Sequence, residues 1–203
     1  NKAGTTIQTT EHRYEAGYVV NAAGLYADKI ARQFGFSERY RILPFKGLYL
    51  YSDEPPGALR TNIYPVPDLR NPFLGVHFTV THEGKAKIGP TAIPALWREQ
   101  YGGNTDFEFR RLAMEEVKKY SRRRMVSLAG ELVEGVRLEH YSKWGKPGIR
   151  AQLLDLKKRR LEMDFVTEGD DHSMHVLNAV SPAFTCSLPF SQYVCDRIQQ
   201  AVH

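Results

Sequence analysis

The segment that most restricts the fold is Tyr18–Gly24, which has the sequence Tyr-Val-Val-Asn-Ala-Ala-Gly. Its apolar first half predicts a buried strand, and the glycine at its end predicts a tight turn. An amphipathic helix is predicted to follow over residues 25–34, with Asp28 and Arg32 on its polar side. A strand, a glycine turn and a helix form half of a nucleotide-binding unit, whose other half would lie upstream.

The rest of the chain alternates short apolar runs with turns that contain proline, glycine or aspartate, which predicts several short strands. The close spacing of the runs in the middle of the chain favours antiparallel pairing. Strands are predicted over residues 5–8, 14–20, 48–51, 62–64, 75–80, 86–89, 148–153, 161–167 and 174–177.

Three helices are predicted besides the first. Thr105–Glu108 fits a capping box for a helix that extends to Tyr120, because each end of the box can satisfy a free backbone N–H. A second helix, over residues 125–136, is interrupted by glycines. Ser181–Pro182 would open the third, with a hydroxyl at the N-cap and proline at the first helical position. Pro189 predicts that this third helix is kinked or restarts there, because proline removes a hydrogen bond.

The charge and the cysteine content of the chain argue against a nucleic-acid interface, a disulfide and a cysteine metal site. The net charge is +5, from 28 Lys and Arg against 23 Asp and Glu, a balance that attracts acidic substrates, lipids or nucleic acid. Basic clusters at residues 122–124 and 157–160 lack interleaved aromatic residues, which favours a helix end and a charged turn over a nucleic-acid interface. Cys186 and Cys195 would face opposite ways on a helix, which argues against a disulfide or a metal pair and suits the cytoplasm.

Several common site motifs are absent from the 203 residues. There is no Gly-x-Gly-x-x-Gly, no Walker-type phosphate loop, no Cys or His pair at zinc spacing and no nucleophile elbow. No apolar run approaches the roughly 20 residues of a membrane helix. The residues alone therefore predict a mixed α/β domain with a candidate anion site.

A resemblance extends this interpretation. The block Val19–Asp28 resembles the second FAD-contacting strand and turn of the D-amino-acid-oxidase superfamily. Further blocks resemble L-2-hydroxyglutarate dehydrogenases and oxidases, in the order found in that family and over nearly the whole chain. They are Leu43–Gly47, Asn62–Asp68, Asn71–Thr79, Gly89–Ala92, Gly148–Gln152 and His175–Ala183.

The resemblance implies an α/β (mixed α+β) fold of the FAD-linked reductase type. Residues 1–40 and 141–203 would form the remainder of a Rossmann-like FAD-binding domain. Residues 41–140 would form a substrate-binding domain built on an antiparallel sheet. The family's opening unit with Gly-x-Gly-x-x-Gly is not found in the sequence, so the chain is expected to correspond to the C-terminal portion of such an enzyme.

The implied reaction is the oxidation of L-2-hydroxyglutarate to 2-oxoglutarate, with FAD as the hydride acceptor and oxygen or a membrane quinone as the final electron acceptor. The expected partners are thus a small dicarboxylate and this acceptor, with no metal and no nucleic acid. The expected location is the cytoplasm, with peripheral contact to the inner membrane through a cationic surface. The alternatives are a related flavoenzyme acting on an amino acid or glycerol phosphate, or a non-catalytic binding module.

Five residues are candidates for the chemistry. In this superfamily a Gly-x-Arg at the position of Arg150 grips the substrate carboxylate, for which a guanidinium suits bidentate binding. Lys46, which stands where arginine is common, and Tyr64 could hold the distal carboxylate. His77 and His175 are the candidate bases, since a histidine near neutral pKa can take a hydroxyl proton. The alternatives are a surface ion pair for the arginine, a surface position for Lys46, and structural roles for the histidines and Tyr64.

The cofactor candidates are small or polar residues next to predicted strand and helix ends. Gly24 would permit close approach of the backbone to a cofactor. The predicted helix start after residue 180 would offer free N–H groups and a positive dipole end to the reduced flavin's negative charge. An ordinary turn and an ordinary helix cap are the alternatives. The complete set is Ala23, Gly24, Asn178, Ser181, Pro182 and Ala183.

Overall fold

A computed structural model describes residues 4–66, 75–95, 98–99, 121–180 and 183–202. The chain forms two compact units, one of Asn1–Ile42 with Ala151–His203 and the other of Leu43–Arg150. We call them unit 1 and unit 2. The assignment of a cofactor domain to the chain ends and a substrate domain to the middle stays a prediction.

Unit 1 begins with a hairpin of β1 (Thr5–Gln8) and β2 (Arg13–Ala16). Strand β3 (Val19–Asn21) follows after a break at residues 17–18, so the single strand predicted over residues 14–20 is in fact two. The predicted helix after it divides into a 3-10 turn, Gly24–Tyr26, and helix α1 (Ala27–Gln33).

Two features of this segment differ from the sequence predictions. Val20 is half exposed, whereas the neighbouring Asn21 is the buried residue of β3. Asp28 was expected on the polar side of α1, but it is fully buried. Its Oδ2 accepts the backbone N–H of Ile42 at 3.1 Å and lies 3.8 Å from Nη2 of Arg32. Helical periodicity could not show this contact, because it comes from a distant residue.

The remainder of unit 1 comes from the C-terminal third of the chain. Strand β13 (Ser173–Asn178) pairs in parallel with β3 and antiparallel with β12 (Val166–Gly169). Helix α3 (Ser187–Val202) follows. Of the two outcomes expected at Pro189, a kink or a restart of the helix, the structure agrees with a restart, because α3 begins at Ser187 and Pro189 lies in its first turn, where the backbone N–H groups have no partner within the helix. The core contains Ala27, Ala31, Tyr40, Ile42, Leu153 and Leu177.

Two long strands run from one unit into the other. They are β4 (Tyr40–Gly47) and β10 (Gly148–Asp155), and β10 pairs with the short β11 (Arg160–Leu161). Strand β4 was not among the predicted strands, and Pro44 in its centre cannot donate to a ladder. In the structure the carbonyl oxygen of Pro44 instead accepts the N–H of Ala95.

The main sheet of unit 2 is antiparallel throughout, as the sequence predicted. Its strand order is β6 (His77–Val80), β7 (Ala86–Gly89), β5 (Leu50–Tyr51) and β9 (Lys143–Trp144). Strand β8 (Ile93–Pro94) pairs with β4 instead. The run predicted as a strand over residues 62–64 contributes only the bridge of Ile63 to Phe78.

One face of this sheet packs against helix α2 (Arg122–Gly130), which begins before the helix predicted over residues 125–136 and ends at its first glycine. The shared core contains Leu50, Phe78, Ile88, Met125 and Ala129. The helix predicted from Thr105 to Tyr120 lies outside the described residues. Among the described residues, no helix is both long enough and apolar enough to cross a membrane.

Gly89 gives a stability prediction. Its φ is +134°, and a Cβ at this position would lie 2.5 Å from the carbonyl oxygen of Leu48. We expect Gly89→Ala to lower the free energy of unfolding by about 2–3 kcal/mol, from backbone strain and this contact with rigid backbone. Gly57→Ala is the control, because its φ is +88° but no atom lies within 4 Å of the added Cβ. Equal losses in urea denaturation of the two variants would contradict the prediction.

Candidate functional site

The turn after β3 exposes a run of small residues. Ala22, Ala23 and Gly24 are all exposed, and Gly24 has a φ of +53° with no atom within 4 Å of the position a Cβ would take. The turn follows the C-terminal end of a strand that runs parallel to its neighbour β13. Ligands of open α/β sheets bind at such strand ends. The turn therefore offers accessible backbone to a ligand.

The buried side chain of Asn21 forms hydrogen bonds to both ends of this turn. Its Nδ2 donates to the carbonyl oxygen of Ala27 at 2.8 Å and to Nδ1 of His175 at 3.0 Å. Its Oδ1 accepts the backbone N–H of Ala23 at 3.2 Å. One buried amide thus fixes both ends of the turn. Asn21 was not among the site residues predicted from the sequence. The signal available in the sequence was a polar residue at the end of an apolar strand.

His175 is fully buried in β13 and supports Asn21. Because Nδ1 accepts from the amide, Nε2 carries the proton and donates to Oγ of Ser173 at 3.0 Å. The rings of Phe34 and Phe36 lie with their centroids 5.0 Å away. Burial lowers the pKa of His175 and keeps the ring neutral. With both nitrogens engaged inside unit 1, its geometry suits support of the turn rather than proton transfer from a substrate.

The other cofactor candidates have different surroundings. Asn178 is buried at the end of β13, where its Nδ2 donates to the carbonyl oxygens of Glu162 and Asp164. It therefore fixes the segment that precedes β12. Ala183 is half-buried, and its N–H donates to the carbonyl oxygen of Val180 at 2.7 Å. Ser181 and Pro182, and with them the predicted helix opening, lie outside the described residues.

The support of the turn can be tested directly. We expect Asn21→Ala to accelerate hydrogen exchange of the Ala23 amide by about 10-fold, because it removes the acceptor of that N–H. Asn178→Ala is the matched control, since it removes a buried amide whose hydrogen bonds go to another segment. The measurement is amide exchange followed by NMR. Unchanged exchange at Ala23 in the Asn21 variant would contradict the prediction.

In unit 2 the structure brings His77 and Tyr64 into contact. Their ring centroids are 4.5 Å apart, with 33° between the planes. Nδ1 of His77 lies 3.0 Å from the carbonyl oxygen of Gly75, which can only accept. Nδ1 therefore carries the proton, and Nε2 keeps a lone pair. Burial lowers the pKa of His77 and outweighs the hydrogen bond to Gly75, which raises it, while the charge of Lys87 adds a smaller lowering. This imidazole has the tautomer and protonation state of a general base.

Two further cations of unit 2 are candidates for binding an anion. Lys46 in β4 is only 8% exposed, and its ammonium makes no hydrogen bond or ion pair among the described residues. A buried charge without a partner is costly, so a bound anion would stabilise this arrangement. Arg150 is half-buried in β10, and burial lowers the pKa of its guanidinium, which nevertheless stays charged. Each lies on a strand other than the one carrying His77.

The predicted roles thus separate between the units. The four candidates for substrate chemistry in unit 2 are Lys46, Tyr64, His77 and Arg150, and the cofactor candidates lie in unit 1 with His175. Sequence alone could not distinguish the two histidines, because the distinction depends on strand register and on the atoms that each ring nitrogen contacts.

Sequence comparison connects this arrangement to a family. Residues 1–197 match the family described as DAO, FAD dependent oxidoreductase. The mitochondrial L-2-hydroxyglutarate dehydrogenase of Bos taurus is 38% identical over 209 residues, covering 90% of this chain and 44% of that protein. The L-2-hydroxyglutarate dehydrogenase of Indibacter alkaliphilus is 33% identical, covering 94% of this chain and 52% of that protein. The chain therefore spans about half the length of the curated relatives it matches.

Solved structures support the fold. L-alpha-glycerophosphate oxidase from Mycoplasma pneumoniae, solved with FAD bound, has a TM-score of 0.64 at 17% identity. The match covers 91% of this chain and 43% of that one. Glycerol-3-phosphate dehydrogenase from Bacillus halodurans, in complex with FAD, has a TM-score of 0.53 at 17% identity. This match covers 93% of our chain and 33% of the dehydrogenase chain. The predicted resemblance and the mixed α/β fold are confirmed, and the chain belongs to the DAO family of FAD-dependent oxidoreductases.

Proposed function

We propose that this chain is part of a flavoenzyme that oxidises L-2-hydroxyglutarate, or a closely similar 2-hydroxy dicarboxylate, to the 2-oxo acid. The observation that carries the proposal is His77, a neutral imidazole whose Nε2 keeps its lone pair, in a unit that also holds Lys46, a buried lysine whose ammonium has no partner among the described residues. The relatives named as L-2-hydroxyglutarate dehydrogenases support the choice of substrate.

His77 would take the proton of the substrate hydroxyl at Nε2. The hydrogen bond from Nδ1–H to Gly75 orients the ring and stabilises the imidazolium that forms. Its lowered pKa keeps the base form populated near neutral pH. FAD, when bound, supplies the acceptor for the hydride that leaves C2 as the hydroxyl loses its proton.

Arg150 would bind the carboxylate next to C2, since a planar guanidinium can donate two parallel hydrogen bonds to it. Lys46 and Tyr64 would bind the distal carboxylate. A dianionic substrate would provide the counter-charge that the buried ammonium of Lys46 lacks among the described residues. Tyr64 is half exposed and rests on the ring of His77, so its hydroxyl can contact a ligand beside the base.

The turn at Ala23 and Gly24 fits an FAD-binding role, because it presents small residues, a positive φ and open space at a strand end. These two residues would contact FAD through their backbone. The helix-start contact expected from the sequence for Ser181, Pro182 and Ala183 does not extend to Ala183, because its N–H donates to the carbonyl oxygen of Val180 and α3 begins only at Ser187. Asn178 would act indirectly, because its amide is already bonded to the segment before β12.

A comparison of substrates tests the proposal. The full-length gene product would be assayed with L-2-hydroxyglutarate, L-alpha-glycerophosphate and a set of amino acids, using oxygen and a soluble quinone as acceptors. We expect turnover of L-2-hydroxyglutarate alone, with one of the two acceptors. Preference for glycerophosphate or an amino acid would replace the proposed substrate, and no turnover of any of these compounds would favour a binding module.

We also propose that the protein is cytoplasmic and makes peripheral contact with the inner membrane. Sedimentation with anionic vesicles would test this contact.

A further inference from the structure

Strand register places Lys87 on the same sheet face as His77. In the antiparallel pair of β6 and β7, His77 lies opposite Gly89, and Thr79 lies opposite Lys87. Residues directly opposite each other in a pair share a face, as do residues two positions apart on one strand. Lys87 also lies opposite Tyr51 of β5, which extends the face across a third strand. The other face of the same strands carries the core residues Phe78, Ile88 and Leu50.

An aromatic ring holds the ammonium of Lys87 in place. Its Nζ lies 4.7 Å from the centroid of the Tyr49 ring, within the range of a cation–π contact. Lys87 is half-buried, so part of the water that would screen its charge is excluded. Strand register places Lys87 diagonally from His77 on this face, and its positive charge adds to the larger effect of burial in lowering the pKa of His77.

This face carries positive charge and no acidic residue at the positions that register assigns to it. Those positions are Tyr51, His77, Thr79, Lys87, Gly89 and Lys143. Lys87 makes no ion pair with any carboxylate of the described residues. Lys87 is thus a half-buried cation that lies near the candidate base His77 and has no counter-charge among the described residues. Such a cation can bind an anionic group of the molecule from which the base takes a proton.

We propose that Lys87, positioned by Tyr49, binds the distal carboxylate of the substrate and selects dicarboxylates over monocarboxylates at this site. The inference rests on the proposed function, in which His77 takes the proton from C2–OH. In the proposed function Lys46 offers a charge from β4 and Tyr64 a neutral hydroxyl beside His77, whereas Lys87 adds a second charge on the sheet face of His77 itself. A charge discriminates more strongly than a hydroxyl between a carboxylate and a methyl group.

The test compares two substrates of equal chain length, L-2-hydroxyglutarate and L-2-hydroxypentanoate, which lacks the distal carboxylate. With the full-length gene product, we expect Lys87→Gln to lower kcat/KM for the dicarboxylate by about 100-fold and to change that for the monocarboxylate by less than about 3-fold. Lys87→Arg should retain most of the discrimination. Lys85→Gln is the matched control, since Lys85 is exposed in the turn of the same hairpin.

The outcomes separate this inference from the function on which it rests. If the wild-type protein oxidises the dicarboxylate and Lys87→Gln does not alter the preference, the role of Lys87 is wrong and the proposed function stands. An equal loss for both substrates would also overturn it, because Lys87 would then act through His77 or the fold. If the wild-type protein oxidises neither substrate, the proposed function and this inference both fail.

Discussion

Replacing His77 with glutamine is expected to lower kcat of the full-length gene product about 1,000-fold, within the range that a positioned general base contributes. Glutamine is a neutral polar side chain of similar size that cannot accept the substrate proton, so the loss of kcat reports on the missing base. His82→Gln is the control, because His82 is an exposed residue of the turn between β6 and β7. Steady-state kinetics with L-2-hydroxyglutarate measure the effect.

The pH dependence has a definite sign. Burial lowers the pKa of His77 below its usual 6.5, so the neutral base persists to a lower pH than it would in water. The kcat/KM of the wild-type protein should therefore fall only as the pH decreases through this lowered pKa, which lies below the pH at which an unperturbed imidazole titrates. This decrease should disappear in His77→Gln. A kcat within about 3-fold of wild type, or an unchanged acid limb, would show that another group takes the proton.

Arg150→Met should raise KM for L-2-hydroxyglutarate by about 100- to 1,000-fold, because it removes a bidentate, charge-assisted contact to a carboxylate in a partly buried site. Arg150→Lys should give a smaller increase, since lysine keeps the charge and loses the planar fork. Arg160→Met is the control for a lost surface charge, as Arg160 is exposed on β11.

The alternative for Arg150 is a structural ion pair, which makes a different prediction. Loss of such a pair would lower the melting temperature and leave KM nearly unchanged. Thermal unfolding monitored by circular dichroism, in parallel with the kinetics, separates the two roles. An unchanged KM with a lower melting temperature would remove Arg150 from the substrate site.

Local sequence patterns predicted much of unit 1. The strand, turn and helix from Val19 to Gln33 depend on neighbouring residues alone, so apolar periodicity and one glycine were enough to locate them. The burial of Asp28 could not be predicted in this way, because its partner is the N–H of Ile42. Strand β4 was not among the predicted strands, and Pro44 in its centre weakens the local strand signal, because proline cannot donate to a ladder.

The same distinction applies to the site. Sequence identified His77 and Tyr64 separately, but their contact depends on a bridge between residue 63 and β6. Nothing in the sequence around His175 shows that both its nitrogens are engaged by Asn21 and Ser173. Lys87 was overlooked because its significance lies in the register of β6, β7 and β5, which sequence patterns do not specify.

The most direct test is an absorbance spectrum of the purified full-length gene product, followed by anaerobic addition of L-2-hydroxyglutarate. We expect the absorption bands of bound oxidised flavin, and we expect them to bleach on addition of L-2-hydroxyglutarate but not of L-alpha-glycerophosphate. Bleaching would show that the protein holds FAD and that substrate electrons reach it. A flavin spectrum that L-2-hydroxyglutarate leaves unchanged, or a protein that binds no flavin when supplied with FAD, would contradict the proposed function.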